Sequence, residues 1–179
     1  MSARIGRRGA LALMGAAVLA ASRGRASSID RAVYVDLDLA HLYAIEEQDL
    51  VLSSRAIVGA AETPTPIVES VITHVRFRPS WRPTPDMLRR GDYEDGVRPP
   101  GPDNPLGLAS VHFSGGGLIY LHGTNHPERF AEVERAISNG CVRVERLEGF
   151  VSWLLDWPPE RTRAAMQGVR SFREATPHV

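Results

Sequence analysis

The residues best suited to chemistry lie in one stretch, Leu118 to Val144, which reads LIYLHGTNHPERFAEVERAISNGCVRV. It contains Cys141, the only cysteine of the 179-residue chain, and His122, which ends a short apolar run. A cysteine nucleophile needs a base that takes its proton and N–H groups that face the oxygen on which negative charge develops. The stretch offers a candidate for each part. By residue type alone, a lone cysteine is also compatible with inert burial or with pairing between chains.

The residues next to the cysteine and the histidine suggest how the parts would act. His122 is the predicted general base, and because no acid adjoins it, the carbonyl of Gly123 is the predicted group that orients its ring. We expect a thiolate–imidazolium pair, in which the pKa of the Cys141 thiol is lowered. The N–H groups of Gly140 and Cys141, with Asn139 beside them, form the predicted oxyanion hole.

Arg143 follows the cysteine by two residues and has two interpretations. Its guanidinium could bind a substrate carboxylate through two hydrogen bonds. It could equally form a structural salt bridge with Glu145 or Glu148. The sequence leaves both open.

The histidines do not predict a metal site. His122 and His126 are four residues apart and His112 is nearby, but no glutamate follows the first histidine and Pro127 interrupts any helix. We therefore expect no metal and no cofactor. The chain has no lysine, which excludes lysine as a base or Schiff-base former.

The first 26 residues resemble an export signal. A basic segment, Met1 to Arg8, precedes an apolar run, Ala10 to Ala21, that is too short to span a membrane. Gly24-Arg25-Ala26 is a small-x-small cleavage site, and the Arg7-Arg8 pair fits a twin-arginine as well as an ordinary secretory signal. We expect export to the periplasm or cell-wall compartment, with no stable membrane span. Without the five arginines of this segment, the remaining 16 basic residues face 21 acidic ones, which argues against a nucleic-acid partner.

Hydrophobic patterning predicts mainly β structure with flanking helices, an α+β class in which strands come first and helices follow. Strands are expected at 33–38, 41–45 and 51–58 as an antiparallel meander, then at 67–77, 108–113 and 118–121. Helices are expected at 86–90, 128–137, 145–155 and 159–169. The proline-rich segment 78–107 is the predicted lid over the site.

His122-Gly123-Thr124 and Ser138-Asn139-Gly140-Cys141-Val142-Arg143 together resemble the catalytic motif of the YkuD-type L,D-transpeptidases, and specifically the YcbB-like branch. The resemblance covers about residues 30–157. It implies a β-sandwich catalytic domain at 29–157, followed by a C-terminal helix or tail at 158–179, with Cys141 as nucleophile and His122 as base. Besides Arg143, the predicted substrate contacts are Ser138, Thr124, Trp81 and Arg135.

The family's substrate is the peptide stem of peptidoglycan. The resemblance implies that the thiolate attacks the carbonyl of stem residue three and releases the terminal D-alanine. The acyl group then passes to an amine of a neighbouring stem, which gives a 3→3 crosslink, and carbapenems acylate the same thiol. Many members of the family have a histidine at the position of Asn139 in this chain. The resemblance therefore does not support a role for the Asn139 side chain in the oxyanion hole.

Two other functions fit the same residues. Transfer of the acyl group to water would make the protein an L,D-carboxypeptidase or a crosslink hydrolase. A protein of another class, a non-catalytic peptidoglycan-binding protein, would require a lost nucleophile or base, and neither is lost here.

Overall fold

The computed structural model describes residues 2–6, 31–115 and 117–177. The apolar part of the predicted export signal falls in 7–30, outside the described residues. Among the described residues, no helix has the length and apolar character needed to cross a membrane.

The described chain is mainly β, as predicted, with a few short helices. The strands are β1 (Ser2–Gly6), β2 (Arg31–Asp36), β3 (His41–Glu46), β4 (Asp49–Gly59), β5 (Glu69–Phe77), β6 (Ala109–Phe113), β7 (Leu121–His122), β8 (Ala136–Ser138), β9 (Val142–Val144) and β10 (Phe172–Ala175). The helices are α1 (Pro85–Arg90), α2 (Leu147–Leu155), α3 (Pro159–Gln167) and a 3₁₀ helix, Pro127–Ala131.

The strands form one sheet in the order β1-β2-β3-β4-β9-β7-β6-β5-β10, with β8 attached to β4. Because β1 pairs with β2 on one side and β5 on the other, the path closes on itself. Strands β2, β3 and β4 are the predicted antiparallel meander. Their alternate residues, such as Val33 and Leu42, are buried in one core together with residues of β5, β6, β7, β9 and α2.

The predicted helix at 128–137 is wrong. The structure has the 3₁₀ helix Pro127–Ala131 and then the strand β8, whose Ala136 pairs with Val58 of β4. Phe130 is the only apolar side chain of that 3₁₀ helix in the core, whereas Val133 is fully exposed. Tertiary pairing with β4 therefore overrides the weak helical period.

The C-terminal segment contributes more than the predicted helix or tail. After α3, the strand β10 adds to the edge of the sheet and pairs antiparallel with β5. Phe172 stacks on Phe77 with ring centroids 4.8 Å apart, which holds β10 against the core.

Candidate active site

The candidate site lies on the sheet face that points away from the core. Val75, Val111, Leu121 and Val142 are buried in the core, so their strand neighbours project from the opposite face. Cross-strand pairing aligns these neighbours in one row: Arg173, Arg76, Ser110, His122 and Arg143, on β10, β5, β6, β7 and β9. The adjacent row begins with the paired residues His74 and His112 and continues to Tyr120 and Cys141, which directly precede β7 and β9.

Cys141 is held by the short loop between β8 and β9. Gly140 has φ +105°, a conformation that favours glycine. Ser138 fixes the loop, since its hydroxyl donates to the carbonyl of Cys141 at 2.5 Å and accepts from the N–H of Gly140 at 3.2 Å. The Cys141 sulfur lies 3.3 Å from the carbonyl oxygen of Leu118.

This loop corrects two predicted roles. The hydroxyl of Ser138 is engaged with backbone groups, so it holds the loop that carries Cys141. The N–H of Gly140 donates to that hydroxyl, so it does not face an oxyanion in this structure. The N–H of Tyr120 instead approaches the Cys141 sulfur.

His122 is buried and its Nδ1 lies 2.6 Å from the carbonyl oxygen of Gly123. A carbonyl only accepts hydrogen bonds, so Nδ1 carries the proton and Nε2 is left as the basic atom. Burial and the nearby charge of Arg143 lower the pKa of His122 to about 3. The imidazole is therefore neutral at physiological pH.

The expected thiolate–imidazolium pair does not fit the burial of the two groups in this structure. Burial raises the pKa of the Cys141 thiol, although the N–H of Tyr120 and the charge of Arg143 oppose this effect. A neutral thiol thus shares a cavity with the neutral imidazole of His122. Such a base takes the proton during attack rather than beforehand.

Arg143 does not form the salt bridge that the sequence left open. Glu145 pairs with Arg55 at 2.5 Å, and Glu148 pairs with Arg163 at 2.7 Å. Among the described residues, the Arg143 guanidinium makes no ion pair. Burial lowers the pKa of this guanidinium. It lines the cavity that His122 and Cys141 share, so it is available for an anion.

The segment 78–107 covers this cavity. Trp81 and Met87, the latter on α1, line it opposite Cys141. Thr84 caps α1 by accepting from the N–H of Met87 at 3.3 Å. At the other end of α1, Nη2 of Arg90 donates to Oδ1 of Asn139 at 2.6 Å, which joins the lid to the nucleophile loop.

Asn104 holds the lid together. This buried amide donates to the carbonyls of Pro79, Arg98 and Pro99 at 2.9 to 3.3 Å, and its Oδ1 accepts from the N–H of Leu106 at 2.9 Å. Four hydrogen bonds on one buried side chain fix the base of the loop.

Two predicted substrate contacts lie elsewhere. The Arg135 guanidinium donates to the carbonyls of Ala56, Glu132 and Leu39, and it lines neither cavity that contains Cys141. The Thr124 hydroxyl accepts from the N–H of His126 at 3.0 Å and shapes a turn. Trp81, Arg143 and Ser138 are the predicted substrate contacts that line a cavity with Cys141, and of these the Ser138 hydroxyl is engaged with backbone groups.

Sequence reasoning missed the residues at the other end of the two rows. Arg76, Ser110, His112 and Tyr120 line one cavity with Cys141. Tyr120 is two residues before His122 on the same strand path, so the sequence spacing could have indicated that it lies near the site. Arg76, Ser110 and His112 could be placed there only from the pairing of the strands. Within the described ranges, no group of three or more His, Cys, Asp or Glu side chains could hold a metal ion.

Comparison with known proteins gives a consistent result. The model of the YkuD family, described as the L,D-transpeptidase catalytic domain, matches residues 30–166. The Escherichia coli protein named "Probable L,D-transpeptidase ErfK/SrfK" is 35% identical over 113 residues, 59% of this chain and 34% of that protein. The E. coli protein "Probable L,D-transpeptidase YbiS" is 35% identical over 111 residues, with the same coverage. The chain therefore spans about a third of the length of these curated relatives.

Among solved structures, the chain is similar to the NMR structure of the catalytic domain from E. faecium L,D-transpeptidase acylated by ertapenem. The TM-score is 0.43 at 15% identity, over 83% of this chain and 97% of that one. An L,D-transpeptidase from Mycobacterium smegmatis gives 0.46 at 14% identity, over 70% of this chain and 54% of that one.

Proposed function

The chain belongs to the YkuD family of L,D-transpeptidase catalytic domains, and we propose that it is an exported cysteine transpeptidase that forms 3→3 crosslinks between peptidoglycan stem peptides. One observation carries the proposal. Cys141, His122 and Arg143 line a single cavity beneath the lid. A nucleophile, a base and a group that binds carboxylates are thereby brought together.

The first half-reaction acylates the thiol. Nε2 of His122 takes the proton of Cys141 as the sulfur attacks the carbonyl carbon of stem residue three. The oxyanion faces the N–H of Cys141 and the N–H of Tyr120, which lies beside the sulfur. The amide C–N bond then breaks, and the imidazolium returns the proton to the amine of the departing D-alanine.

The second half-reaction runs the same steps in the reverse direction with a new amine. The amine of a neighbouring stem attacks the thioester carbonyl, His122 takes its proton, and the C–S bond breaks. The proton then returns to the Cys141 sulfur, so the enzyme is regenerated. Because leaving and attacking amines pass the same base, both use the part of the cavity that contains His122.

Arg143 suits the carboxylate next to the leaving amine. It lies opposite His122 across β7 and β9 and has no anionic partner among the residues that the structure describes. A guanidinium binds a carboxylate through two parallel hydrogen bonds, which would orient the D-alanine end of the donor.

Two rival functions were open from the sequence. A carboxypeptidase or crosslink hydrolase would transfer the acyl group to water instead of an amine, and a peptidoglycan-binding protein would catalyse no reaction. Hydrolysis requires water at the thioester, and the lid residues Trp81 and Met87 together with buried His122 restrict its access. A non-catalytic binding protein would not need a buried histidine oriented by Gly123 beside a thiol. These features favour transfer to an amine.

Mass spectrometry of the protein incubated with a disaccharide-tetrapeptide tests the proposal, with a parallel sample treated with a carbapenem. We expect a dimer that lacks one D-alanine and a carbapenem adduct on Cys141. Loss of D-alanine without a dimer would favour the carboxypeptidase, and cleavage of an added crosslinked dimer would favour the hydrolase. If neither product nor adduct formed, the non-catalytic binder would replace the enzyme.

A further inference from the structure

The cavity around Cys141 has two lobes. One lobe contains His122, Arg143 and Tyr93. The other contains Arg76, Ser110, His112 and Tyr120. Trp81, Met87, Leu106, Asn139 and Cys141 line both, so the nucleophile lies at their junction. A bound substrate would therefore extend into both lobes when its carbonyl reaches the sulfur.

The second lobe is electropositive. Arg76 lies opposite Arg173 across β5 and β10, and neither guanidinium makes an ion pair within the described part of the chain. Burial is the main cause that lowers the pKa of His74 and of His112, and the charges of Arg76 and Arg173 lower both further. Neighbouring like charges cost free energy unless an anion joins them. The arrangement therefore suits an anionic group of a ligand.

The reaction determines which half of the substrate enters this lobe. Attack at the carbonyl divides the donor into an amine half, which passes His122, and an acyl half, which stays on the sulfur. His122 belongs to the first lobe, so the acyl half occupies the second. The group of the acyl half nearest to the reacting carbonyl is the side chain of stem residue three.

We propose that Arg76, supported by Arg173, binds a carboxylate at the end of the side chain of stem residue three, so that this enzyme selects donors whose third residue is a diamino dicarboxylic acid. This inference rests on the proposed function and adds the class of donor. Arg76 is separated from Cys141 by β6 and β7, so their backbones are about three strand spacings, ~14 Å, apart. The Arg76 side chain and the five-carbon side chain of a diamino dicarboxylic acid together span this distance.

Ser110 and His112 complete the recognition of such a side chain. Their side chains lie 3.0 Å apart, between Oγ of Ser110 and Nε2 of His112, and both face the lobe. Burial and the neighbouring cations lower the pKa of His112 to about 4, so its ring is neutral at physiological pH. A neutral polar pair tolerates the ammonium group that accompanies the carboxylate. A lysine side chain would bring the ammonium alone towards two guanidinium groups, which repel it.

Matched donors test the inference. Three tetrapeptides differ only at residue three, which is meso-diaminopimelate, its side-chain carboxamide, or L-lysine. The rate of D-alanine release is measured for the wild type, Arg76→Gln and the control Arg89→Gln, whose guanidinium pairs with Asp86 on exposed α1. Carbapenem acylation of Cys141 in each protein reports an intact nucleophile and fold.

We expect the wild type to prefer the carboxylate donor by about 10- to 100-fold in kcat/KM, the range of a charge-assisted hydrogen bond. Arg76→Gln should remove this preference by slowing the carboxylate donor more than the other two donors, and a carbapenem adduct on Cys141 should still form. Equal use of all three donors by the wild type, or equal slowing of all three by Arg76→Gln, would overturn the subsite and leave the proposed function standing. Absence of D-alanine release from every donor, together with absence of a carbapenem adduct, would overturn the proposed function and the subsite with it.

Discussion

His122 lies directly opposite Arg143 on the parallel strands β7 and β9, and both side chains line the cavity that contains Cys141. His122, the proposed base, thus has a half-buried cation as its neighbour and the Gly123 carbonyl as its hydrogen-bond acceptor. Burial and the Arg143 charge both favour the neutral imidazole, so the ring is uncharged at pH values well above about 3.

The first prediction concerns the protonation of His122. Its pKa is lowered to about 3, so the neutral base is present above that pH and is lost only as the pH falls towards it. We therefore expect that protonation of His122 does not slow acylation near pH ~6.5, the ordinary pKa of histidine. Arg143→Gln removes one of the two causes and should raise the pKa of His122 part of the way to its ordinary value. NMR titration of the His122 ring in both proteins measures this, and an ordinary histidine pKa in the wild type would contradict the assignment.

The second prediction concerns the two proposed catalytic residues. Cys141→Ala should abolish acylation, and His122→Ala should reduce it by about 10²- to 10⁴-fold, because a positioned general base contributes that much. His126→Ala is the matched control, since this exposed histidine pairs with Glu128 away from Cys141. The measurements are carbapenem acylation by mass spectrometry and thermal unfolding. Substantial acylation in His122→Ala, with an intact fold, would exclude it as the base.

The third prediction concerns the base of the lid. Asn104→Ala removes the side-chain donor of three carbonyls and the acceptor of the Leu106 N–H, which should lower the free energy of unfolding by about 2 to 4 kcal/mol. The Arg98 carbonyl keeps its hydrogen bond from the N–H of Trp81. Loosening of the lid should also raise KM. Asn125→Ala is the control, because that half-buried amide makes one long contact of 3.5 Å with the carbonyl of Asp103. If chemical denaturation showed the same stability for both variants, Asn104 would not organise the lid.

Local patterning was sufficient for much of the fold. The alternation in β2 to β4 and the apolar stripe of α2 predicted these elements because each buries one regular face. The hydrophobic pattern wrongly predicted a helix at 128–137, because the pairing of β8 with β4 determines the conformation there. It also could not predict β10, because a short edge strand depends on contact with β5, which is remote in sequence.

For the candidate site, too, some features could be predicted from the sequence and others could not. Motif spacing identified Cys141, His122 and Gly123, which lie on or beside adjacent strands. Sequence could not show that burial would keep the thiol and the imidazole neutral, because that depends on the lid. It also could not place Arg76 beside them, since this required the register of β5, β6 and β7.

The fourth prediction concerns the contact between the lid and the nucleophile loop. Arg90→Ala removes the hydrogen bond to Asn139, which should open the lid more often and speed alkylation of Cys141 by iodoacetamide by about 3- to 10-fold. Arg89→Ala is the control, because Arg89 is on the same helix but pairs only with Asp86 among the described residues. Equal alkylation rates in the two variants would mean that this contact does not restrain the lid.

The fifth prediction concerns the dependence of stability on pH. His112 has a pKa lowered to about 4 in the folded protein and an ordinary value of about 6.5 when unfolded. The unfolded chain therefore binds more protons in this interval, so the stability present above pH ~6.5 is lost as the pH falls towards about 4. His122 acts in the same direction down to about pH 3.

Urea unfolding of the wild type and His112→Gln at about pH 7 and about pH 5 measures the contribution of His112. The variant should lose about 1 to 2 kcal/mol less stability than the wild type over this interval, because residue 112 no longer takes up a proton on unfolding. Carboxylates titrate mostly below about pH 5, so this interval isolates the histidines. An identical loss in both proteins would mean that His112 is protonated in the folded state, which its ring contacts with Tyr120 and with His74 oppose.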